Sequence, residues 1–344
     1  MKLFIYTFSV SDLVSGKQYM IDKISSKNLG RKFGLNFINP LIIYLLVFGL
    51  LSSATAISGE LKKFVVGFSQ DTMENDWRAA QVNEIAKAFK QYPNVKFIYT
   101  DGKGRTAKQI SDLEDLALKK VDLIITSPRD SIAMTPVISK IYQSGIPVIL
   151  LTRKTTNNEF TTYISPDDYA IATKAAKLIA KEMNNKGNIL ILKGIPTTTT
   201  AIARTEGFLK EIKKYPEIRI SAIKTGNFLR ADAIRATEDA IINKIKFDAI
   251  YAENDSMAAG ARLALKKAGI DPSEKIIVGI DYIREAQIAI KNQTQIGTFT
   301  YPTCAEEAVK AAMDILNNKP TPKHITVESQ MVTMGNIHKL EPIF

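Results

Sequence analysis

The chain has 344 residues, 45% of them hydrophobic and 24% charged, which supplies enough apolar side chain for two domains with separate cores and excludes a disordered or fibrous protein. Residues 1–56 hold six Lys/Arg and two Asp/Glu, so only +7 of the formal +11 belongs to the rest, where Lys210, Lys213 and Lys214 alternate with acids such as Glu211. That is the pattern of solvated helix faces, and it argues against a nucleic-acid partner.

No charged residue lies between Arg31-Lys32 and Glu60, and Leu41 to Leu51 is apolar apart from Tyr44 and Gly49. Basic residues, an apolar core and then Ala54-Thr55-Ala56 predict a secretory signal over residues 1–56, cleaved after Ala56. Its basic region is long, and Met20 offers an alternative start. An uncleaved anchor is the other reading, since counting Phe37 and Ile38 lengthens the segment toward a membrane span. No cysteine follows the apolar run, so lipidation is unsupported and export points to the periplasm of a double-membrane bacterium. Cys304, the single cysteine, excludes a disulfide framework and reads as a small buried residue near a helix start.

From Lys63 the pattern alternates. Strands are expected at 63–69, 95–100, 121–127 and 146–151, separated by a helix carrying Val82, Ile85, Ala86 and Phe89 at helical spacing and by helices over 107–119 and 131–144. After a polar interval the rhythm restarts. A short strand at 163–165 leads to a helix bearing Ile171, Ala175, Leu178, Ile179 and Met183, then strands at 188–193, 218–224, 247–253 and 275–281 alternate with helices near 202–214, 230–244, 255–268 and 283–291. Repeated βα units predict an α/β chain of two similar lobes around parallel sheets. The final strand 295–300, a helix with Val309, Ala312, Met313 and Leu316, and extended pieces from 325 to 333 are too few for a third domain. They predict a chain that crosses back to finish each lobe. The expected boundaries are 57–163 for lobe 1, completed by about 299–325, and 164–298 for lobe 2, completed by about 326–344.

Ligands of open α/β sheets bind beyond the carboxyl ends of the strands. The first such turn, Phe68 to Arg78, holds the only Trp, Trp77, beside Arg78 and Asn75. An indole covers the apolar face of a sugar ring while a guanidinium and an amide grip hydroxyls, so the set suits a small polar ligand. The same residues also fit a half-buried helix start with a solvated arginine. Later strand ends deliver Arg129 and Asp130, Asn254 and Asp255, and Asp281, which can pair with vicinal hydroxyls. Each aspartate is equally suited to a helix cap or a turn, Asp255 above all. His324 and His338 are the only histidines and lie in the tail, leaving little for a zinc site or a Ser-His-Asp arrangement. Gly102-Lys103-Gly104-Arg105-Thr106-Ala107 matches a dinucleotide fingerprint loosely, but it follows the second strand rather than the first.

With VGFSQ and DWR at Gly67 to Arg78, SPRDS at 127–131, GIPVILLTR at 145–153, AIARTEGF at 201–208, TGNFLRADA at 225–233, YAENDSMAAGA at 251–261, VGID at 278–281 and TFTYPT at 298–303, the chain resembles periplasmic sugar-binding proteins of the ribose/galactofuranose-binding type, partners of ABC importers. The resemblance implies two Rossmann-like, doubly wound lobes joined by a three-crossing hinge, no enzymatic activity, no cofactor, no metal and a monomer. It places Asn75, Trp77, Arg78 and Asp130 on the first wall and Arg153 after the fourth strand. On the second wall it places Arg204 forking onto ring hydroxyls, Phe228 stacking on the far face, and Asn254 and Asp281 binding the remaining hydroxyls, with Tyr301 where ribose binders tend to have Gln.

Thr152 stands where such proteins usually carry Asp, and Arg129 adds a cation, so the implied ligand is a monosaccharide or a sugar acid. It would be captured by hinge closure and handed to an inner-membrane ABC permease. The rival reading is a sugar-sensing module that presents ligand to a chemoreceptor or histidine kinase.

Overall fold

The structure, a computed structural model, describes residues 62–344; the signal segment and Met20 lie outside the described residues. The first sheet comprises β1 (Phe64–Gln70), β2 (Val95–Asp101), β3 (Leu123–Thr126), β4 (Val148–Leu151), β5 (Thr162–Ser165) and β11 (His324–Thr326), all parallel, in the order β11-β5-β4-β3-β1-β2. The second comprises β6 (Lys186–Lys193), β7 (Glu217–Thr225), β8 (Ala249–Ala252), β9 (Ile276–Val278), β10 (Gly297–Phe299) and β12 (Met331–Thr333), in the order β12-β10-β9-β8-β6-β7. Only β12 runs antiparallel, against β10. Both orders reverse direction after their first strand, so each sheet has a switch point, between β1 and β3 and between β6 and β8.

Period-two alternation lets each strand feed two cores, as a sheet covered on both faces requires. Ile189 and Ile191 of β6 pack with Ala175 and Ile179 of α4 (Asp168–Glu182) and Phe208 of α5 (Thr199–Ile212). Leu190 and Leu192 face the other way, onto Ala233 of α6 (Arg230–Ile242) and Ala261 and Leu265 of α7 (Asp255–Lys267). In the first lobe, Val66 and Phe68 of β1 meet Ile85 and Phe89 of α1 (Asp76–Phe89) and Ala308 and Ala312 of α9 (Ala305–Leu316). Its opposite face packs Ile124 and Leu150 on Leu113 and Leu116 of α2 (Thr106–Leu118) and Ile138 of α3 (Thr135–Gln143). Gly67 lets α2 approach, because a Cβ there would stand 2.8 Å from the Leu116 side chain.

The chain passes between lobes three times, near 166–167, 300–304 and 327–330. The crossings are tied together: Val327 donates its N–H to the Ser165 carbonyl at 3.1 Å, and the Ser329 hydroxyl donates to the Thr300 carbonyl at 2.6 Å. The expected doubly wound lobes with a three-crossing hinge are therefore present. Cys304 is buried at the N-cap of α9 in left-handed backbone, φ 60°. Among the described residues no helix is long and apolar enough to cross a membrane.

Two elements start or stop differently from the sequence pattern. The helix expected from Ser131 begins only at Thr135, because the Asp130 carboxylate accepts the N–H groups of Ile132 (3.0 Å) and Ala133 (2.8 Å) in a turn first. The strand expected through Asp281 stops at Val278, since the backbone turns at Asp281 (φ 124°) and α8 (Arg284–Lys291) follows.

Candidate ligand-binding site

A cavity of about 190 Å³ opens between the lobes at the carboxyl ends of both sets of strands. Nine of the ten residues singled out in the sequence line it: Asn75, Trp77, Arg78, Arg153, Arg204, Phe228, Asn254, Asp281 and Tyr301. Asp130 does not. Its carboxylate is taken up by the turn before α3, which corrects its placement on the first wall.

The first wall is built on α1. Asn75 caps it, its amide oxygen accepting the Arg78 N–H at 3.0 Å, and this turns Trp77 and Arg78 inward. Arg78 Nη1 donates to Ser127 Oγ at 2.8 Å and Thr152 Oγ1 at 3.1 Å. At the end of β1 lies fully buried Asp71, whose Oδ2 accepts from Arg153 Nη1 at 2.7 Å. The same carboxylate stands 3.5 Å from Arg78 Nε and 3.6 Å from Arg129 Nη1. Burial works to raise the Asp71 pKa, but Arg153, Arg78 and Arg129 together outweigh it and hold the carboxyl below its usual range. Burial, joined by the repulsion of Arg153, pushes Arg78 down to about 10.

The second wall centres on Phe228, which with Asn227 has left-handed backbone, φ 62° and 52°, strain that directs the ring into the cavity. The ring lies against Gly194, where a Cβ would sit 2.0 Å from Phe228 Cζ. The Arg153 and Arg204 guanidinium carbons lie 5.7 and 5.8 Å from its centroid. Arg204 is also 4.4 Å from the Tyr301 ring centre.

Arg204 does not offer a free fork, because its Nε is bound to Asp168 Oδ1 at 2.8 Å and its Nη1 donates to the Glu253 carbonyl. Burial alone would lower its pKa; Asp168 more than offsets this and holds the charge. Tyr301 donates its hydroxyl to Asp168 Oδ2 at 3.2 Å and accepts the Trp77 Nε1–H on its carbonyl at 2.9 Å, so the indole N–H belongs to the hinge.

Asn254, not Asp255, caps α7, accepting the Met257 N–H at 2.9 Å. Asp255 instead accepts from the Tyr282 N–H (2.8 Å), Thr298 (2.7 Å) and Gln295 (2.8 Å), which pins the turn that presents Asp281. Among the described residues none donates a hydrogen bond to the Asp281 carboxylate, although it is only 4% exposed. Burial pushes its pKa well above the usual range, against the pull of Arg204. Its carboxyl faces the cavity and, among the described residues, makes no hydrogen bond.

The lobes meet around the cavity. Asn75 Nδ2 donates to the Phe228 carbonyl at 2.9 Å, Thr200 Oγ1 to the Thr152 carbonyl at 2.7 Å, and Ser131 Oγ to the Thr197 carbonyl at 3.0 Å. Two lobes closed on a cavity at two switch points is the architecture of a solute-binding protein, and comparison with known proteins agrees. The sequence pattern of the periplasmic binding protein domain matches residues 66–320.

The chain belongs to the periplasmic binding protein family. This binding protein is 27% identical to a galactofuranose-binding protein of Escherichia coli strain K12, over 86% of its length and 96% of the relative. It is 26% identical to a ribose import binding protein of Bacillus subtilis strain 168, over 80% and 89%. Among solved structures, the fructose-binding periplasmic domain of a hybrid two-component system superposes with a TM-score of 0.76 at 33% identity, covering 80% of this chain and 92% of that one. The family is one of binding proteins, so this chain is a non-catalytic member.

Several lining residues of this binding protein escape sequence reading: Asp71, Lys103, Gly104, Thr200, Asn227 and Leu229. Asp71 was detectable as the first acid after β1, and Asn227 and Leu229 as the neighbours of Phe228. The glycine loop at 102–104 supports the wall and does not cradle a phosphate, because the Gly102 and Gly104 N–H groups donate to the Gln70 and Asp71 carbonyls, both at 2.9 Å.

Proposed function

We propose that this protein captures one monosaccharide or sugar acid in the periplasm by closing its lobes and delivers it to an ABC permease, acting as a monomer exported by its N-terminal segment. The observation that carries the reading is the division of the cavity wall between lobes: Asn75, Trp77, Arg78 and Arg153 on one side, Arg204, Phe228, Asn254 and Asp281 on the other. A ligand that satisfies both sets binds the closed form alone, which is what population shift by hinge closure needs. The unpartnered Asp281 carboxylate and the remaining N–H of each amide at Asn75 and Asn254 suit a ring with several hydroxyls. The sugars named for the ribose and galactofuranose relatives support that chemistry.

A thermal-shift screen of the full chain over pentoses, hexoses, furanoses and sugar acids tests the reading, because a ligand of the folded form raises Tm with concentration. No shift with any of them would refute it.

A second reading is favoured by the 33% identical sensor domain: the closed form reports ligand to a kinase or chemoreceptor. The lobe division is the same in either, with β5 to Ser165 and β11 to Thr326 in the first lobe, slightly beyond the expected 163 and 325. Deleting the gene separates the two, since an importer component abolishes uptake of radiolabelled ligand, whereas a sensor leaves uptake intact and abolishes the transcriptional or motile response.

A further inference from the structure

Three guanidinium groups share one carboxylate on the first wall. Arg153, Arg78 and Arg129 all approach Asp71, at 2.7, 3.5 and 3.6 Å, and all four residues line the cavity. Within this cluster two positive charges are therefore unbalanced, where Arg78 and Arg153 are 7% and 2% exposed. Neighbours on this wall do not correct the excess. Ser127, Thr152 and Gln81, which accept from Arg78, are neutral, and Thr152 spends its own proton on the Leu151 carbonyl at 2.8 Å. At the rim, exposed Glu74 is matched by exposed Lys103. On the far wall Arg204 is already neutralised by Asp168, and Asp281 attracts Arg78 across the cavity without an ion pair, so an ionised Asp281 still leaves one positive charge in excess.

The hydrogen bonds of the cluster are incomplete as well. Among the described residues, Arg153 Nε is buried with no acceptor and Asp71 Oδ1 with no donor, so the two groups do not satisfy each other, and Arg129 meets Asp71 only at ion-pair distance. Buried guanidinium N–H groups without acceptors are costly, and a planar oxyanion is the group whose geometry matches them.

Building on the sugar-binding reading above, we propose that the ligand is anionic: a sugar-sized polyol carrying one carboxylate or phosphate, with the oxyanion held by Arg78, Arg129 and Arg153 and the hydroxyls by Asp281, Asn75 and Asn254. Asp71 acts as the positioning residue that keeps the three guanidinium groups converged before the ligand arrives. Carboxylate and phosphate share this chemistry, and the cluster itself does not choose between them.

Titration calorimetry of the full chain with matched sets tests it: glucose against glucuronate and glucose phosphate, galactose against galacturonate and galactose phosphate, fructose and ribose against their phosphates. The expected result is a charged member binding at least about tenfold more tightly than its neutral parent, which corresponds to about 1.4 kcal/mol. Whether the uronate or the phosphate leads identifies the oxyanion.

Two variants localise the effect. Arg129→Gln, at a partly exposed position, is expected to erase the preference for charge. Thr152→Asp would place a second carboxylate beside Arg78 in left-handed backbone that Asp tolerates, and is expected to invert the preference toward the neutral sugar. A neutral parent that binds as tightly as its acid overturns the anion inference and leaves the sugar reading standing, as does a preference for charge that survives both variants. If no member of any set binds, both readings fall together.

Discussion

Asn75 and Asn254 cap the first helix of one lobe and a helix of the other, and both side-chain amides donate to the same atom, the carbonyl oxygen of Phe228, at 2.9 and 3.2 Å. Each asparagine uses its oxygen within its own lobe, on the Arg78 or Met257 N–H, and its nitrogen on the shared carbonyl. Asn75 thus joins helix capping to lobe closure, while Asn254 holds the same carbonyl from within the second lobe. An amide suits the two tasks because Asn carries its acceptor and its donors on separate atoms of one short side chain.

Replacing Asn75 by Asp separates the two tasks. Aspartate caps a helix as well as asparagine and suits the N-terminal dipole, so the first lobe should keep its stability to within about 1 kcal/mol. The carboxylate has no proton for the Phe228 carbonyl and would face it as a second acceptor. The lobes should then favour the open form, seen as a larger radius of gyration by solution scattering, with ligand affinity down by about tenfold or more. Unchanged scattering and affinity would remove the latch.

Gly194 is the position where one methyl group should abolish binding. Its Cβ would fall 2.0, 2.3 and 2.4 Å from three Phe228 ring carbons, and the ring is held by strained backbone at φ 62°. In Gly194→Ala the ring must leave its place, at a cost of about 1–3 kcal/mol for overpacking. Far-UV circular dichroism should stay unchanged while calorimetry detects no ligand. A variant that binds normally would show that Phe228 is not part of the ligand wall.

The βα rhythm was legible because hydrophobic periodicity reports local burial, and nearly every strand and helix fell where Val, Ile, Leu and Ala spacing placed it. The cavity wall was legible because strand ends are marked by polar residues such as Arg78, Asn254 and Asp281. What the pattern could not convey was which polar group spends itself on the protein. Asp130 and Asp281 look alike in sequence, yet one closes a local turn and the other has no protein donor. Arg204 reads as a ligand fork, but two of its five N–H groups are consumed by Asp168 and the Glu253 carbonyl, partners 36 and 49 positions away. Asp71 was overlooked for the same reason, since its importance comes from three arginines brought to it by different strand ends.

Asp281 should make the ligand-free protein less stable as pH rises. Its carboxyl has a raised pKa in the folded state, through burial, and an ordinary value near ~3.9 when unfolded. A raised acid leaves the folded state undisturbed below the unfolded pKa and costs stability progressively up to the folded pKa. Asp281→Asn should therefore raise Tm at neutral pH, with the gain vanishing at acid pH, while lowering ligand affinity about tenfold or more. Donation by ligand hydroxyls favours the ionised form, so wild-type affinity should climb with pH over the interval where the free carboxyl titrates. A variant that gains no Tm, or an affinity that is flat over that interval, would place the carboxylate outside the site.

Asp71 carries the opposite sign. Its folded pKa is depressed because Arg153, Arg78 and Arg129 outweigh burial, so its contribution is fully present above the unfolded value near ~3.9 and is lost as pH falls through the folded pKa. Removing the carboxylate in Asp71→Ala leaves three guanidinium groups facing one another in a buried wall, with the Arg153 Nη1 donor also orphaned. Breaking a buried pair in this way costs about 3–5 kcal/mol, more than most single substitutions. The loss should be largest at neutral pH and shrink below the folded pKa, where the wild type has also lost its charge. Because the defect is excess positive charge, sulfate should raise Tm more in the variant than in the wild type, beyond its general stabilising effect, at concentrations at which an equal ionic strength of chloride does not. A loss that neither salt restores beyond its effect on the wild type would mean that Asp71 holds the wall by packing and not by charge.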